Sequence, residues 1–411
     1  MLTIHGWIGS GLSGSEQVRA NSPSAEQMSP TRILVVIADP HGGGARYVVS
    51  LSKVRTLGEY HITVAYAAGG PELIKATRQS DYLDYIPVSL PRAAADYSDL
   101  EGLTAIFNRN FHVIHYVGTR AALYGTFAMK LSEPDECPYQ IYSAISLGLD
   151  RYPPGRKRSL RLAINREIAR QVDCVVVNSD RKEGVRMGVF DDSRTTTLWN
   201  GVEVPTFSET AIKAAAVRRN LNIRGIMVLF VGRMEVQKDP ITLLRAISIV
   251  QQTRPGLELV MVGDGSLESE VRTFVSRSAN RGRVALLGWR ADFADLIAAS
   301  DLLVVPSRWE GLPYVLLDAM AAKKPVVATR VNGIKDAVID GFNGLLVDPG
   351  NHEAMARAIL DLAGSSRLRS RLGKAARSTV VENFQEGDML CRLDELYRGG
   401  REQVESHRVE S

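Results

Sequence analysis

Short apolar runs rich in Val, Ile and Leu recur along this chain, bounded by Gly, Pro and polar residues and separated in several places by helical patterns. A first series comprises Ile33–Ala38, His61–Ala67, Val113–Val117, Gln140–Ala144, Cys174–Val177 and Thr196–Leu198. A second follows Val204-Pro205: Met227–Val231, Leu257–Val262, Val284–Leu287, Leu302–Val305, Pro325–Ala328 and Gly344–Val347. Runs that are apolar throughout read as strands buried on both faces, the kind found in parallel sheets covered by helices. Two successive series of similar length therefore predict an α/β chain with two Rossmann-like domains in tandem. The boundary falls near Asn200-Gly201-Val202-Glu203-Val204-Pro205, giving domains over residues 31–203 and 204–385. Such sheets bind ligands outside the carboxyl ends of their strands, so two facing each other put the site in a deep interdomain cleft.

The 411 residues fit two or three domains. Hydrophobic residues at 45% and charged residues at 23% are ordinary for a soluble globular protein. No apolar stretch is long enough to span a bilayer. The first residues lack a basic n-region and a clear cleavage site, so no signal peptide is expected. Cys137, Cys174 and Cys391 are scattered without metal-ligand or redox spacing, which fits a reducing cytosol. A net charge of +4 is too mild to argue for nucleic acid as a partner. Residues 1–30, rich in Gly, Ser, Pro, Glu and Gln, read as a disordered tail, with Met28 as an alternative start.

Ser307-Arg308-Trp309-Glu310-Gly311-Leu312-Pro313-Tyr314 leads from the Leu302–Val305 strand into a helix that carries Asp318. Pro313 suits the first helical position, and the free N–H groups of a helix start can hold an anion. Glu310 then stands beside that anion, with Asp318 about a turn and a half along the helix. A carboxylate beside a phosphate site accepts hydrogen bonds from hydroxyls rather than attracting the phosphate. A ligand with a hydroxylated part on each side of a phosphate is a nucleotide sugar. Taken alone, the same spacing also describes an N-cap acid and a solvated helix Asp.

Arg233 and Lys238 follow the Met227–Val231 strand on a loop that opens a helix. Two cations there can neutralise a diphosphate leaving group, each close charge pair being worth roughly 4 kcal/mol at an effective dielectric near 20 before desolvation. A solvated basic loop is the plainer alternative. Gly42 and Gly43 follow the first strand, with Arg46 one turn into the next helix; lacking Cβ atoms, they let backbone approach a phosphate or sugar. Gly263-Asp264-Gly265 and Leu287-Gly288-Trp289-Arg290 end two later strands, where a base and ribose sit in a Rossmann site; tight strand-to-helix turns explain them as well. No Asp-X-Asp pair occurs, nor any cluster with metal-ligand spacing. Arg233, Lys238 and the helix start at Gly311–Pro313 would then replace a divalent ion, and no cofactor beyond the donor is expected.

In this order and spacing the segments resemble the retaining GT-B glycosyltransferases of family 4, the glycosyl transferases group 1. Glu310 and Asp318 stand where that family's signature has two Glu, the first binding the donor sugar and the second the ribose; Asp318 is one methylene shorter. Arg233 and Lys238 match its phosphate clamp, and Gly42 and Gly43 its N-terminal Gly-Gly loop. The resemblance places Gly263, Trp289, Arg290, Gly311 and Leu312 in the donor pocket. It runs from about Ile33 to Tyr397 and includes Val175–Ser179, Asn200–Glu203 and Asp340–Val347. Many members carry a histidine after the strand corresponding to Gln140–Ser143, whereas Ala144-Ile145-Ser146 stand there in this chain. His115, after Val113-Ile114, matches another histidine common in the family and is the substitute catalytic candidate; a structural role is its alternative. His41 is a further candidate. The resemblance also implies a terminal helix over 386–400 that crosses back to the first domain, leaving 401–411 as a tail.

What the resemblance implies is retaining, metal-independent transfer of a hexose from a nucleotide diphosphate sugar. The second domain would hold the donor, and the first a glycan or lipid-linked acceptor, in bacterial surface polysaccharide assembly. The cluster Arg151, Arg156, Lys157, Arg158, Arg161, Arg166 and Arg170, with Leu160, Leu162 and Ile164 between, is either a solvated helix face or a contact to anionic lipid at the inner face of the plasma membrane. Two rival readings remain. One is a sugar-nucleotide epimerase or hydrolase on the same fold, for which no acid/base pair is found. The other is a catalytically degenerate partner subunit, suggested by Asp318 and the absent histidine.

Overall fold

Along β1 (Thr31–Ile37) side chains alternate between two apolar clusters, with Ile33, Val35 and Ile37 on one face and Leu34 and Val36 on the other. This is the two-faced burial that an uninterrupted apolar run predicts. The computed structural model describes residues 29–39, 42–67, 83–88, 90, 98–205, 207–277 and 281–410. The expected tail up to residue 28, with the alternative start Met28, and His41 lie outside the described residues.

The first sheet contains β1, β2 (Tyr60–Ala67), β3 (Leu83–Val88), β4 (Val113–Val117), β5 (Tyr139–Ala144), β6 (Cys174–Val177) and β7 (Thr195–Thr197), in the order β3-β2-β1-β4-β5-β6-β7. The second contains β8 (Met227–Val231), β9 (Glu258–Val262), β10 (Val284–Leu286), β11 (Leu302–Val305), β12 (Val326–Thr329) and β13 (Leu345–Val347), in the order β10-β9-β8-β11-β12-β13. All the pairings within them are parallel. Each sheet reverses its strand order beside its first strand, and that switch point is where doubly wound sheets open a ligand crevice. β3 had no counterpart in the strands read from the sequence. It is an edge strand with Asp84, Tyr85 and Pro87 exposed, so it lacks an unbroken apolar run, and an edge tolerates a proline without an N–H.

Five helices frame the crevices: α1 (Gly42–Ser52), α2 (Thr119–Met129), α3 (Arg156–Gln171), α4 (Pro240–Thr253) and α5 (Tyr314–Ala321). A last helix, α6 (Glu386–Glu410), returns to the first lobe. There Lys53 Nζ donates to Glu386 Oε2 (2.7 Å), Tyr60 donates to Asp394 (2.5 Å), and Leu393 and Tyr397 are fully buried. Burial of such side chains is worth roughly 1.5–3 kcal/mol each. The helix does not stop at residue 400 as expected. It continues through Glu410 because Val404 is still buried and Arg401 donates to Thr31 Oγ1 at 3.0 Å. The two crossings between the lobes lie side by side: Val202 N–H donates to Phe384 O (2.9 Å) and Glu386 N–H to Val202 O (3.2 Å).

Candidate active site

Both crevices open into one cleft of about 650 Å³. Its first wall carries Asp39, Gly42, Gly43 and Gly44 beyond β1, Gly118, Thr119 and Arg120 beyond β4, and Ile145 and Ser146 beyond β5. Its second wall carries Gly232 and Arg233 beyond β8, Gly263 beyond β9, Trp289 and Arg290 beyond β10, and Trp309 to Val315, from the loop after β11 into the first turn of α5. Of the predicted site residues, Glu310, Arg233, Lys238, Gly42, Gly43, Gly263, Trp289, Arg290, Gly311 and Leu312 all face this cavity. His115 and Asp318 do not. Cations lining it (Arg46, Arg120, Arg151, Arg161, Arg233, Lys238 and Arg290) outnumber the acids Asp39, Asp264 and Glu310, a balance that favours an anionic ligand.

The loop after β8 and the loop before α5 are stitched together. Glu310 is buried and accepts from Lys238 Nζ, from Ser307 Oγ (2.6 Å) and, more weakly, from Gln237 Nε2 (3.4 Å). Gln237 Nε2 also donates to Trp309 O at 3.1 Å. Arg308 donates through its backbone to Gln237 O (2.8 Å) and through Nε to buried Asp239 (2.9 Å), which caps α4. Arg233, by contrast, is exposed to the cleft and has no carboxylate partner among the described residues.

Two glycines permit this fit. Gly263 sits at φ +126°, and a Cβ there would lie 2.1 Å from Gly232 O. A Cβ on Gly311 would lie 2.7 Å from Ile145 O in the other lobe, so the loop before α5 touches the first lobe backbone to backbone. Asn200, in the linker, adds a second tie by donating to Leu312 O at 2.6 Å. Pro313 proves to be the extended cap before α5 rather than its first residue.

Asp318, expected at the ribose, is absent from the cleft lining and is engaged elsewhere. Its carboxylate grips Arg46 of α1 with both oxygens, one of them at 2.8 Å from Nη2, and Arg46 stacks 4.5 Å from the Tyr314 ring centroid. Burial alone would lower the Arg46 pKa; the hydrogen bond and charge of Asp318 outweigh it and leave the pKa raised. His115 also stands away from the cleft lining. It lies fully buried in β4, 2.7 Å from Ser143 Oγ and 2.9 Å from Tyr397 OH, and burial pushes its pKa down to about 3. Its two hydrogen-bonding contacts tie β4 to β5 and to α6. Trp289 is 56% exposed at the rim, and Arg290 is held by Asp292 at 2.6 and 2.7 Å.

The sequence reading left Arg120, Arg151 and Arg161 unassigned to the cleft. A signal existed for the first: in Val117-Gly118-Thr119-Arg120 an Arg follows a strand-ending Gly, one position later than in Val231-Gly232-Arg233. No histidine lines the cleft among the described residues, and no group of three His, Cys, Asp or Glu there is placed to hold a metal ion.

Two parallel α/β lobes that share a cleft make the GT-B fold, and its sequence relatives make this chain a glycosyltransferase. Residues 225–365, which make most of the second lobe, match the family model of the glycosyl transferases group 1. The UDP-Gal:alpha-D-GlcNAc-diphosphoundecaprenol alpha-1,3-galactosyltransferase of Escherichia coli is 22% identical over 338 residues, spanning 77% of this chain and 85% of that protein. The lipopolysaccharide core biosynthesis glycosyltransferase LpsE of Rhizobium meliloti is 31% identical over 217 residues, spanning 52% of this chain and 61% of LpsE. Among solved structures, Anabaena HepE in complex with UDP-glucose superposes with a TM-score of 0.76 at 19% identity, covering 90% of this chain and 99% of HepE.

Proposed function

We propose that this glycosyltransferase moves a hexose from a nucleotide diphosphate sugar to a glycan or lipid-linked acceptor, with retention and without a metal ion, in bacterial surface polysaccharide assembly. The carrying observation is the pair of buried Glu310 with half-buried Lys238, which shares the cleft wall with Arg233. Arg233 and Lys238 neutralise the diphosphate as the bond from sugar C1 to its oxygen breaks. Lys238 has three N–H donors, so it can hold Glu310 and still serve a phosphate oxygen. Glu310, acceptor-only when ionised, takes hydrogen bonds from sugar hydroxyls. The acceptor hydroxyl attacks C1 from the face the diphosphate leaves, and its proton passes to the departing phosphate oxygen. No protein nucleophile is then needed. Relatives that act on a diphosphoundecaprenol sugar and in lipopolysaccharide core biosynthesis support the acceptor class.

The test is transfer by purified protein from a panel of nucleotide sugars, with product anomers read by NMR and chelator present throughout. Retained configuration in chelator is expected. An inverted anomer or an absolute divalent-metal requirement would overturn the mechanism. Epimerisation or hydrolysis of donor as fast without acceptor as with it would move the chain to the rival class.

The proposal includes a peripheral site at the cytoplasmic membrane face. No helix among the described residues is long and apolar enough to cross a membrane. α3 exposes Arg156 and Lys157 beside Leu160, and α2 exposes Leu123 and Phe127. Each basic residue near an anionic surface adds about 1 kcal/mol. Sedimentation with anionic vesicles should fall steeply with salt, and equal binding to neutral vesicles would reduce these helices to a solvated face.

A further inference from the structure

The basic stretch from Arg151 to Arg170 is not one surface. Arg156, Lys157 and Arg170 are exposed outside the cleft, and Arg166 donates to Gly188 O and Met187 O at 2.7 and 3.1 Å. Arg151 and Arg161 instead line the cleft, and Arg120, from the first turn of α2, lines it with them. All three belong to the first lobe, opposite the Arg233 and Lys238 loop.

Their charges are not balanced. Lys238 is paired with Glu310, Arg290 with Asp292 and Arg46 with Asp318. Arg120, Arg151 and Arg161 have no carboxylate partner among the described residues. They are nevertheless held in place. Arg161 donates to Leu147 O (2.9 Å) and Ser146 O (3.2 Å). Its guanidinium lies 5.8 Å from the Tyr152 ring centroid, and that of Arg151 lies 5.1 Å from the same ring and 5.3 Å from Trp309. Arg120 donates to Ala38 O, while its Nε is buried without a partner. Leaving a buried donor unpaired is costly, and like charges lining one concave site favour an anionic ligand there.

We propose that Arg120, Arg151 and Arg161 bind a phosphate or diphosphate group carried by the acceptor, next to the hydroxyl that receives the sugar. This rests on the reading of the cleft as a sugar-transfer site. The donor diphosphate is served by Arg233 and Lys238, so the first-lobe cations are left for a second anion. The guanidinium fork matches phosphate oxygens in pairs, which suits arginine here better than lysine.

The experiment compares three acceptors that differ in the anion: methyl N-acetylglucosaminide, N-acetylglucosamine 1-phosphate, and a short-chain polyprenyl diphosphate carrying the same sugar. Binding of each to protein saturated with nucleoside diphosphate is titrated by calorimetry, alongside transfer kinetics. The phosphorylated acceptors should bind at least ten-fold more tightly than the neutral glycoside. Preference for the polyprenyl compound over the soluble phosphate identifies a lipid headgroup as the source; parity identifies a soluble sugar phosphate. Arg151→Gln and Arg161→Gln should each weaken the phosphorylated acceptors about ten- to hundred-fold and leave donor KM unchanged. Arg161 also supports its loop, so Arg151→Gln, at an exposed position, is the variant that tests charge without risk to folding. Equal binding of neutral and phosphorylated acceptors overturns the proposal. So does a rise in donor KM with acceptor binding intact, which would assign these arginines to the donor. If no nucleotide sugar binds at all, the transfer reading fails instead, and phosphate binding by the first lobe remains measurable by itself.

Discussion

At the scale of the residue, Glu310 and His115 are both buried and both hydrogen-bonded, yet only one faces the cavity. Glu310 has its orientation set by Lys238 and Ser307, so Glu310→Gln should keep its shape and lose its charge. We expect kcat to fall about ten- to hundred-fold, the cost of a charged hydrogen bond, with nucleoside diphosphate affinity nearly unchanged in a thermal-shift titration. Undiminished turnover would remove Glu310 from the sugar site. For His115 the expectation concerns stability. Its folded pKa of about 3 lies below the ordinary value near 6.5 because burial disfavours the imidazolium. Between those values the unfolded chain binds more protons, so this contribution is fully present above pH 6.5 and is lost as pH falls toward 3. His115→Gln should flatten the acid limb of a melting-temperature profile and leave kcat/KM within a few-fold at pH 7.5. A selective collapse of kcat at unchanged melting temperature would return His115 to catalysis.

At the scale of the element, the Arg46–Asp318 pair joins α1 to α5, each partner about a turn into its helix and the two helices from different lobes. Its side chains are 33% and 16% exposed, which argues for about 1–2 kcal/mol rather than the larger cost of breaking a fully buried pair. Asp318→Glu separates two roles. If Asp318 faced ribose, the longer side chain would tighten nucleotide binding. Because it holds the Arg46 fork, the extra methylene should instead lower the melting temperature by a few degrees and raise donor KM; tighter nucleotide binding would restore the ribose role. This pair was illegible in the sequence because its partners lie 272 positions apart. The strands and their Gly turns were legible because two-faced burial writes uninterrupted apolar runs, and for the same reason edge strand β3 was not. Arg233, Lys238 and Glu310 could be read from strand-end position. Whether His115 faced core or cleft depended on what packs over β4, and that is Tyr397, from the far end of the chain.

At the scale of the whole molecule, the lobes are joined by the paired crossings and by α6, and they also meet around Asp150, whose Oδ2 accepts from Asn332 N–H at 2.8 Å. Asp180 lies in that junction. Its pKa is raised to about 6, first by burial and then by Asp150 from its own lobe and Asp336 from the other; Leu147 N–H and Lys335 act against the rise. For a carboxyl with a raised folded pKa the folded chain binds more protons than the unfolded one between roughly pH 4 and 6. Stability therefore falls as pH rises through that window, by at most about 3 kcal/mol once the group is charged. Asp180 also holds a left-handed backbone at φ 63°, a conformation asparagine adopts readily. Asp180→Asn can thus keep both the backbone and the contact with Leu147 N–H while removing the charge. The variant should melt above the parent at pH 7.5, and the two curves should converge as pH approaches 4. Parallel curves across that range would show that Asp180 titrates normally and that the junction carries no charge strain.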